Sequence, residues 1–147
     1  KNELEKKNLQ IDFKLNFLDL NNFDFWFQKI AKKYLNTPYF WGGRTPLGID
    51  CSGFTQMVYR FFKINLPRDS HQQAEKGKKI NFKNCKLGDL AFFEEKNKIK
   101  HVGILLSNKK IIHSSGKVRI DQFDSTGIYN DKAKKYTHKL KLIKRFI

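Results

Sequence analysis

The chain has 147 residues, with 30 Lys and Arg against 14 Asp and Glu (formal charge +16), and is 39% hydrophobic and 14% aromatic. That length fits one domain with a real core, 14 Phe argue against disorder over most of it, and no apolar run approaches the ~20 residues a membrane-spanning helix needs. The charge would suit an anionic polymer or surface. The lysines, however, are scattered from Lys1 to Lys144 without a nucleic-acid motif, so specific nucleic-acid binding is not expected.

The chain starts at Lys1 rather than Met, which suggests a fragment or a processed form. Residues 1–12 are polar and charged and read as a linker or the remnant of an upstream segment, leaving residues 13–147 as the domain. Phe13, Leu15 and Phe17 alternate with polar residues, as in a short strand. Asn22 or Asp24 can cap a helix carrying Phe23, Trp26, Phe27, Ile30 and Tyr34, which ends before Pro38. Gly42 to Gly48 is a loop by its Gly and Pro content. A second helix is expected from Cys51 to Phe62 with Phe54, Val58 and Phe61 on one face. Pro67 closes that unit, and Asp69 or Ser70 can cap a short helix holding Gln72, Gln73 and Ala74. Strands then follow at Leu90–Phe93, His101–Leu106, Lys110–His113, Lys117–Ile120 and His138–Ile143. Helices first and an antiparallel sheet afterwards make an α+β domain, the N-terminal helices packed on the C-terminal sheet.

Two cysteines differ in their surroundings. Cys85 lies in the polar stretch Asn84-Cys85-Lys86, whereas Cys51 joins a glycine-rich loop to an amphipathic helix in Ile49-Asp50-Cys51-Ser52-Gly53-Phe54. A helix start presents unpaired N–H groups and a partial positive charge, which favour thiolate and can receive a developing oxyanion. A lone Cys is more often a small buried apolar residue, and in an oxidising compartment the two could pair as a disulfide.

The histidines add weight to catalysis. His101 opens the apolar run Val102-Gly103-Ile104-Leu105, and His113 ends Ile111-Ile112. A three-residue hairpin loop at Leu106, Ser107 and Asn108 would set Leu105 opposite Lys109, Gly103 opposite Ile111 and His101 opposite His113. Both rings would then share a sheet face, with Val102, Ile104 and Ile112 on the other. A base and its orienting group suit that placement. Zinc held by the histidines and Cys51 is the alternative, without a further ligand cluster to support it, so no metal and no cofactor are expected. His71 and His138 read as ordinary surface or packing residues.

The runs Tyr39-Phe40-Trp41-Gly42-Gly43 and Asp50-Cys51-Ser52-Gly53-Phe54 resemble the signature of the NlpC-type cell-wall peptidases. Leu66-Pro67-Arg68-Asp69-Ser70 with Gln72 and Gln73, Gly88-Asp89-Leu90-Ala91-Phe92-Phe93, His101-Val102-Gly103-Ile104 and Ile112-His113 continue it in order. Leu87 departs from it, standing where the family usually has Pro. The resemblance, over residues 25 to 145, implies a papain-like fold with Cys51 as nucleophile, His101 as base and His113 as orienting residue. It implies hydrolysis of the γ-D-glutamyl–diamino acid bond of peptidoglycan stem peptides. A monomer is expected. The resemblance also implies substrate contacts from Tyr39, Asp50, Ser52 and Ser70, Asp50 holding the free amine of an N-terminal L-Ala. Asp50 and Ser52 could instead cap the helix. The cell envelope or the outside of the cell is the expected place of work, with cytoplasmic peptide recycling as a second setting. An amidase on the same scaffold and a non-catalytic basic wall-binding module are the competing functions.

Overall fold

The computed structural model describes residues 22–147; the linker at residues 1–12 and the strand around Phe13–Phe17 lie outside the described residues. Helix α1 (Phe23–Lys32) buries Phe27, Ile30 and Ala31 and ends two residues before Tyr34. Asn22 occupies its N-cap position without a side-chain capping bond. The glycine loop holds a small hairpin, β1 (Arg44–Thr45) with β2 (Gly48–Ile49). Helix α2 (Cys51–Arg60) starts where expected and stops short of Phe62. That early stop corrects one expected core residue. The chain turns after Arg60, so Phe62 is turned inward and Phe61 remains 48% exposed. Helix α3 (Ser70–Ala74) follows Asp69 at its N-cap, with Gln72 Oε1 accepting from the Asp69 backbone N–H at 3.1 Å.

The sheet is larger than the sequence suggests. Besides β4 (Leu90–Glu95), β5 (Lys98–Leu105), β6 (Lys110–Ser115), β7 (Lys117–Phe123) and β9 (Lys135–Arg145), it contains β3 (Lys78–Ile80) and β8 (Gly127–Asn130). All neighbours are antiparallel, in the order β3-β9-β4-β5-β6-β7-β8, and β8 also pairs with β9. The strands from β4 to β9 therefore close into a barrel-like ring. Its members alternate: Leu90, Phe92, Val102, Ile104 and Ile112 join the cluster that holds Phe27, Phe54, Val58 and Tyr59 of the helices. Ala91, Phe93, Leu105 and Ile111 form a second cluster with Phe123, Ile128 and Ile143. Period-two alternation thus sends β5 and β6 side chains into two separate cores.

The β5–β6 register differs from the expected one by two residues. Gly103 faces His113, Ile104 faces Ile112, and Leu105 faces Ile111, because the connection is longer and is closed by Leu106 and Ser107 N–H groups on the Lys110 carbonyl. A slip of two preserves the face, so His101 and His113 remain on one side as diagonal neighbours. Gly103 is required there. A Cβ on it would come 2.9 Å from the His113 Cβ and 2.7 Å from Ile111 Cδ1.

Candidate active site

Cys51 is the first residue of α2, and the preceding loop wraps around that helix start. Asp50 caps the helix: Oδ1 accepts from the Gly53 N–H at 2.7 Å, and Oδ2 accepts from the Gly42 N–H at 2.9 Å. The wrap is tight enough that a Cβ on Gly53 would lie 2.4 Å from the Gly43 carbonyl oxygen. Arg68 donates to both Asp50 oxygens, and to Ser52 Oγ at 2.9 Å, while Ser52 Oγ donates to Asp50 Oδ1 at 3.3 Å. Burial alone would raise the Asp50 pKa, but Arg68 and the two N–H groups hold the carboxyl below its ordinary range.

Cys51, Tyr39, Asp50, Ser52, Arg68, Ser70, His71 and His101 border one cavity of 610 Å³. The structure thus brings together five of the expected catalytic and substrate residues around Cys51, with His113 behind His101. A slightly larger hollow of 670 Å³, between Phe40, Leu47, Met57 and Arg60, has neither nucleophile nor base in its lining. Cys85 lies elsewhere, half-buried against the second core, and both cysteines are free thiols.

The histidines form a chain of contacts. His101 Nε2 lies 2.8 Å from His113 Nδ1, and His113 Nε2 lies 2.9 Å from Asp121 Oδ2. Burial would raise the Asp121 pKa, but His113 and Arg119 hold it down, so its carboxylate only accepts. His113 is pushed below its ordinary value by burial against the pull of Asp121. Being neutral, it donates through Nε2 to Asp121 and accepts at Nδ1, which obliges His101 to donate from Nε2. The free lone pair of His101 is then on Nδ1, the nitrogen left for a proton from Cys51.

The electrostatics correct one sequence expectation. Burial pushes the Cys51 thiol up to about 11, the Asp50 charge adds to that, and the N–H groups of Val102, Ser52 and Cys51 itself oppose it without prevailing. Burial also pushes His101 well below its ordinary value, with His113 and His138 acting in the same direction. Both shifts favour the neutral thiol and imidazole over the thiolate expected from the helix start. In a Cys85→Ala background, alkylation of Cys51 by iodoacetamide should be slow at about pH 6 and accelerate above about pH 9. Fast, pH-independent alkylation between about pH 5 and pH 8 would show instead that thiolate is the resting form.

Sequence reasoning missed five neighbours of this site. Arg68 could have been found as the cation beside a capping Asp in the Arg68-Asp69-Ser70 run. Asp121 and Arg119 could have been found from parity, since a hairpin turning at Gly116 sets Arg119 opposite His113 and Asp121 opposite Ile111 on the histidine face. His138, expected to be ordinary, stacks on His101 with ring centroids 4.2 Å apart. His71 is exposed but borders the Cys51 cavity.

The family model described as "NlpC/P60 family" matches residues 36–139. Over 84 residues the chain is 40% identical to the gamma-D-glutamyl-L-lysine dipeptidyl-peptidase of Bacillus subtilis strain 168, covering 55% of this chain and 28% of that protein. It is 43% identical over 75 residues to the murein DD-endopeptidase MepS/murein LD-carboxypeptidase of Escherichia coli K12, covering 50% of this chain and 40% of the relative. Among solved structures, an NlpC/P60 family protein from Bacillus cereus superimposes with a TM-score of 0.70 at 30% identity, covering 81% of this chain and 38% of that one. The chain thus spans well under half the length of these curated relatives.

Proposed function

The chain belongs to the NlpC/P60 family, and on that premise we propose that it is a cysteine peptidase of bacterial cell-wall peptides, with Cys51 as nucleophile and His101 as base. The observation that supports this most is the run of contacts from Asp121 through His113 to His101, ending on a base that shares a cavity with a helix-start cysteine. Sγ attacks the scissile carbonyl carbon as its proton passes to His101 Nδ1. The carbonyl becomes an oxyanion facing the Cys51 backbone N–H, which a helix start leaves without an intrahelical partner. Tyr39, whose phenol burial and the Asp50 charge keep protonated, is the second donor we assign to that oxygen. Collapse of the intermediate breaks the C–N bond, and the imidazolium hands its proton to the departing amine. Water, deprotonated by His101, then releases the acyl group from sulfur. Asp121, through His113, stabilises the imidazolium formed in each half-reaction.

The bond we propose is that between D-glutamate and the diamino acid, in line with the Bacillus subtilis relative's name. The peptide lies in the 610 Å³ cavity against Ser52, Ser70 and Tyr39. Work in the envelope or outside the cell follows from such a substrate. Incubation with defined muropeptides and mass identification of the products tests this: release of an L-Ala-γ-D-Glu dipeptide supports the reading, and cleavage at any other bond rejects it.

Asp50 needs a separate account. Its two oxygens already accept from Gly53, Gly42, Ser52 and Arg68, so the amine of an unblocked L-Ala finds no vacant acceptor on it. We therefore assign Asp50 to capping α2 and to fixing Arg68. In Asp50→Asn the carboxamide NH2 must face donors, costing about 1–2 kcal/mol and about 4–8 °C in Tm. The preference between free and N-acylated peptides should stay unchanged. A KM that rises only for free-amine peptides, at constant Tm, would restore Asp50 as the amine anchor.

A further inference from the structure

His101 borders two cavities. The first contains Cys51; the second, of 580 Å³, is bordered by His101 and His138 together with Phe93, Tyr136 and the Glu94 and Lys139 side chains. Between them the two rings lie face to face, 4.2 Å apart at the centroids and 30° from parallel. The edge of His113 meets both, at 5.0 Å from His101 and 5.6 Å from His138, and Phe93 lies 5.8 Å and 5.9 Å from the same two rings. Thr137 Oγ1 lies 2.9 Å from His138 Nδ1, which gives that ring a local anchor on β9.

We propose that His138 is a positioning residue for the base: its ring closes the face of His101 that borders the second cavity, holds the imidazole in the rotamer bonded to His113, and keeps water from it. This rests on the reading of His101 as the base. The stacking geometry has two consequences. A neutral ring presents an electron-rich face to the imidazolium that forms during each half-reaction, a favourable cation–π arrangement. A ring of that size also leaves no room for His101 to swing away from Cys51 into the second cavity.

Burial holds His138 down at about 4, so at neutral pH the ring is uncharged, and its charge opposes protonation of His101 only as the pH falls toward that value. The other groups facing His101 are Cys51 from α2 and His113 from β6, with Asp121 and Arg119 of β7 behind His113. Around the second cavity, Glu94 and Glu95 of β4 offset Lys100 of β5 and Lys139 of β9 in formal charge. His138 thus acts by occupying space rather than through its own charge.

The test compares His138→Ala with His138→Phe, in kcat, in KM and in the titration of the His101 imidazole followed by NMR. His138→Ala should lower kcat by about 10- to 100-fold with KM nearly constant, as expected when a reacting group is misplaced by about an ångström. It should also raise the His101 titration toward the ordinary value for histidine, because water reaches the exposed face. The acidic limb of the rate profile moves up with it. His138→Phe keeps the ring and should restore most of kcat and the low titration. A merely structural role would lower Tm without moving the His101 titration. An unshifted His101 titration in His138→Ala overturns the proposal, as does a His138→Phe that folds yet titrates like His138→Ala. Should His138→Ala not fold, His138→Gln, polar and ringless, takes its place with the same expected shifts. If the wild type cleaves no muropeptide, the proposed function falls while the NMR titration still decides the role of His138.

Discussion

Replacing Cys51 with Ala should lower kcat by at least about 10⁴-fold, because loss of a covalent nucleophile leaves only binding and oxyanion stabilisation to act on water. The substitution removes one sulfur atom from a nearly buried position, and circular dichroism should show the fold retained. Cys85→Ala is the control: that thiol is half-buried against the second core and far from the cavity, so kcat should stay within about twofold, the usual outcome for a site outside the chemistry. The reason for so large a ratio between two Cys→Ala changes is position. Cys51 stands at the start of α2 on a cavity it shares with a histidine whose free lone pair is fixed by two further residues. Substantial turnover in Cys51→Ala would remove the nucleophile from the mechanism.

The second large effect is graded along the histidine chain. His101→Ala should lower kcat by about 10³-fold or more, since it removes the base that takes the Sγ proton and returns it to the leaving amine. His113→Ala should cost less, about 10- to 100-fold, because His101 retains its lone pair and loses only the acceptor that fixes its tautomer and ring. His113→Asn and His113→Gln offer a carbonyl oxygen to the His101 Nε2–H and should recover part of that loss. Asp121→Asn should fall below His113→Ala in severity, acting one residue further away. Steady-state kinetics on one muropeptide across these variants checks the order. Equal losses at His101 and His113, with no recovery from Asn or Gln, would show that the two histidines act as equals and not as base and orienter.

The local features of this site were readable from the sequence because each depends on a few neighbouring residues. Asp50-Cys51-Ser52-Gly53 at the head of an amphipathic stretch announces a helix start, and α2 begins at Cys51. Period-two alternation around His101 and His113 puts both rings on one face in any register that differs by an even number. That face survived even though the β5–β6 loop was longer than expected. What could not be read depends on distant chain. Strand β8 is four residues long, and β3 is mostly lysine; each exists because the 11-residue β9 offers it an edge. Phe61 and Phe62 exchange places because the helix stops at Arg60, a point no apolar spacing marks. Asp121 and His138 enter the site only once β6–β7 and β8–β9 close the ring, and until then each is one polar residue in an exposed-looking strand. The same closure that hides the histidines from water also overrode the acidic thiol expected from the helix start, since burial outweighs the N–H groups around Sγ.

The claim that Cys51 attacks the γ-glutamyl carbonyl can be tested directly with an L-Ala-γ-D-glutamyl chloromethyl ketone, which places an electrophilic carbon where the scissile carbonyl would sit. Intact mass and peptide mapping read the result. The mechanism predicts one equivalent of label, entirely on Cys51, blocked by competing muropeptide and lost in Cys51→Ala and strongly slowed in His101→Ala. Label on Cys85, or an unlabelled protein that continues to hydrolyse the muropeptide, would contradict it.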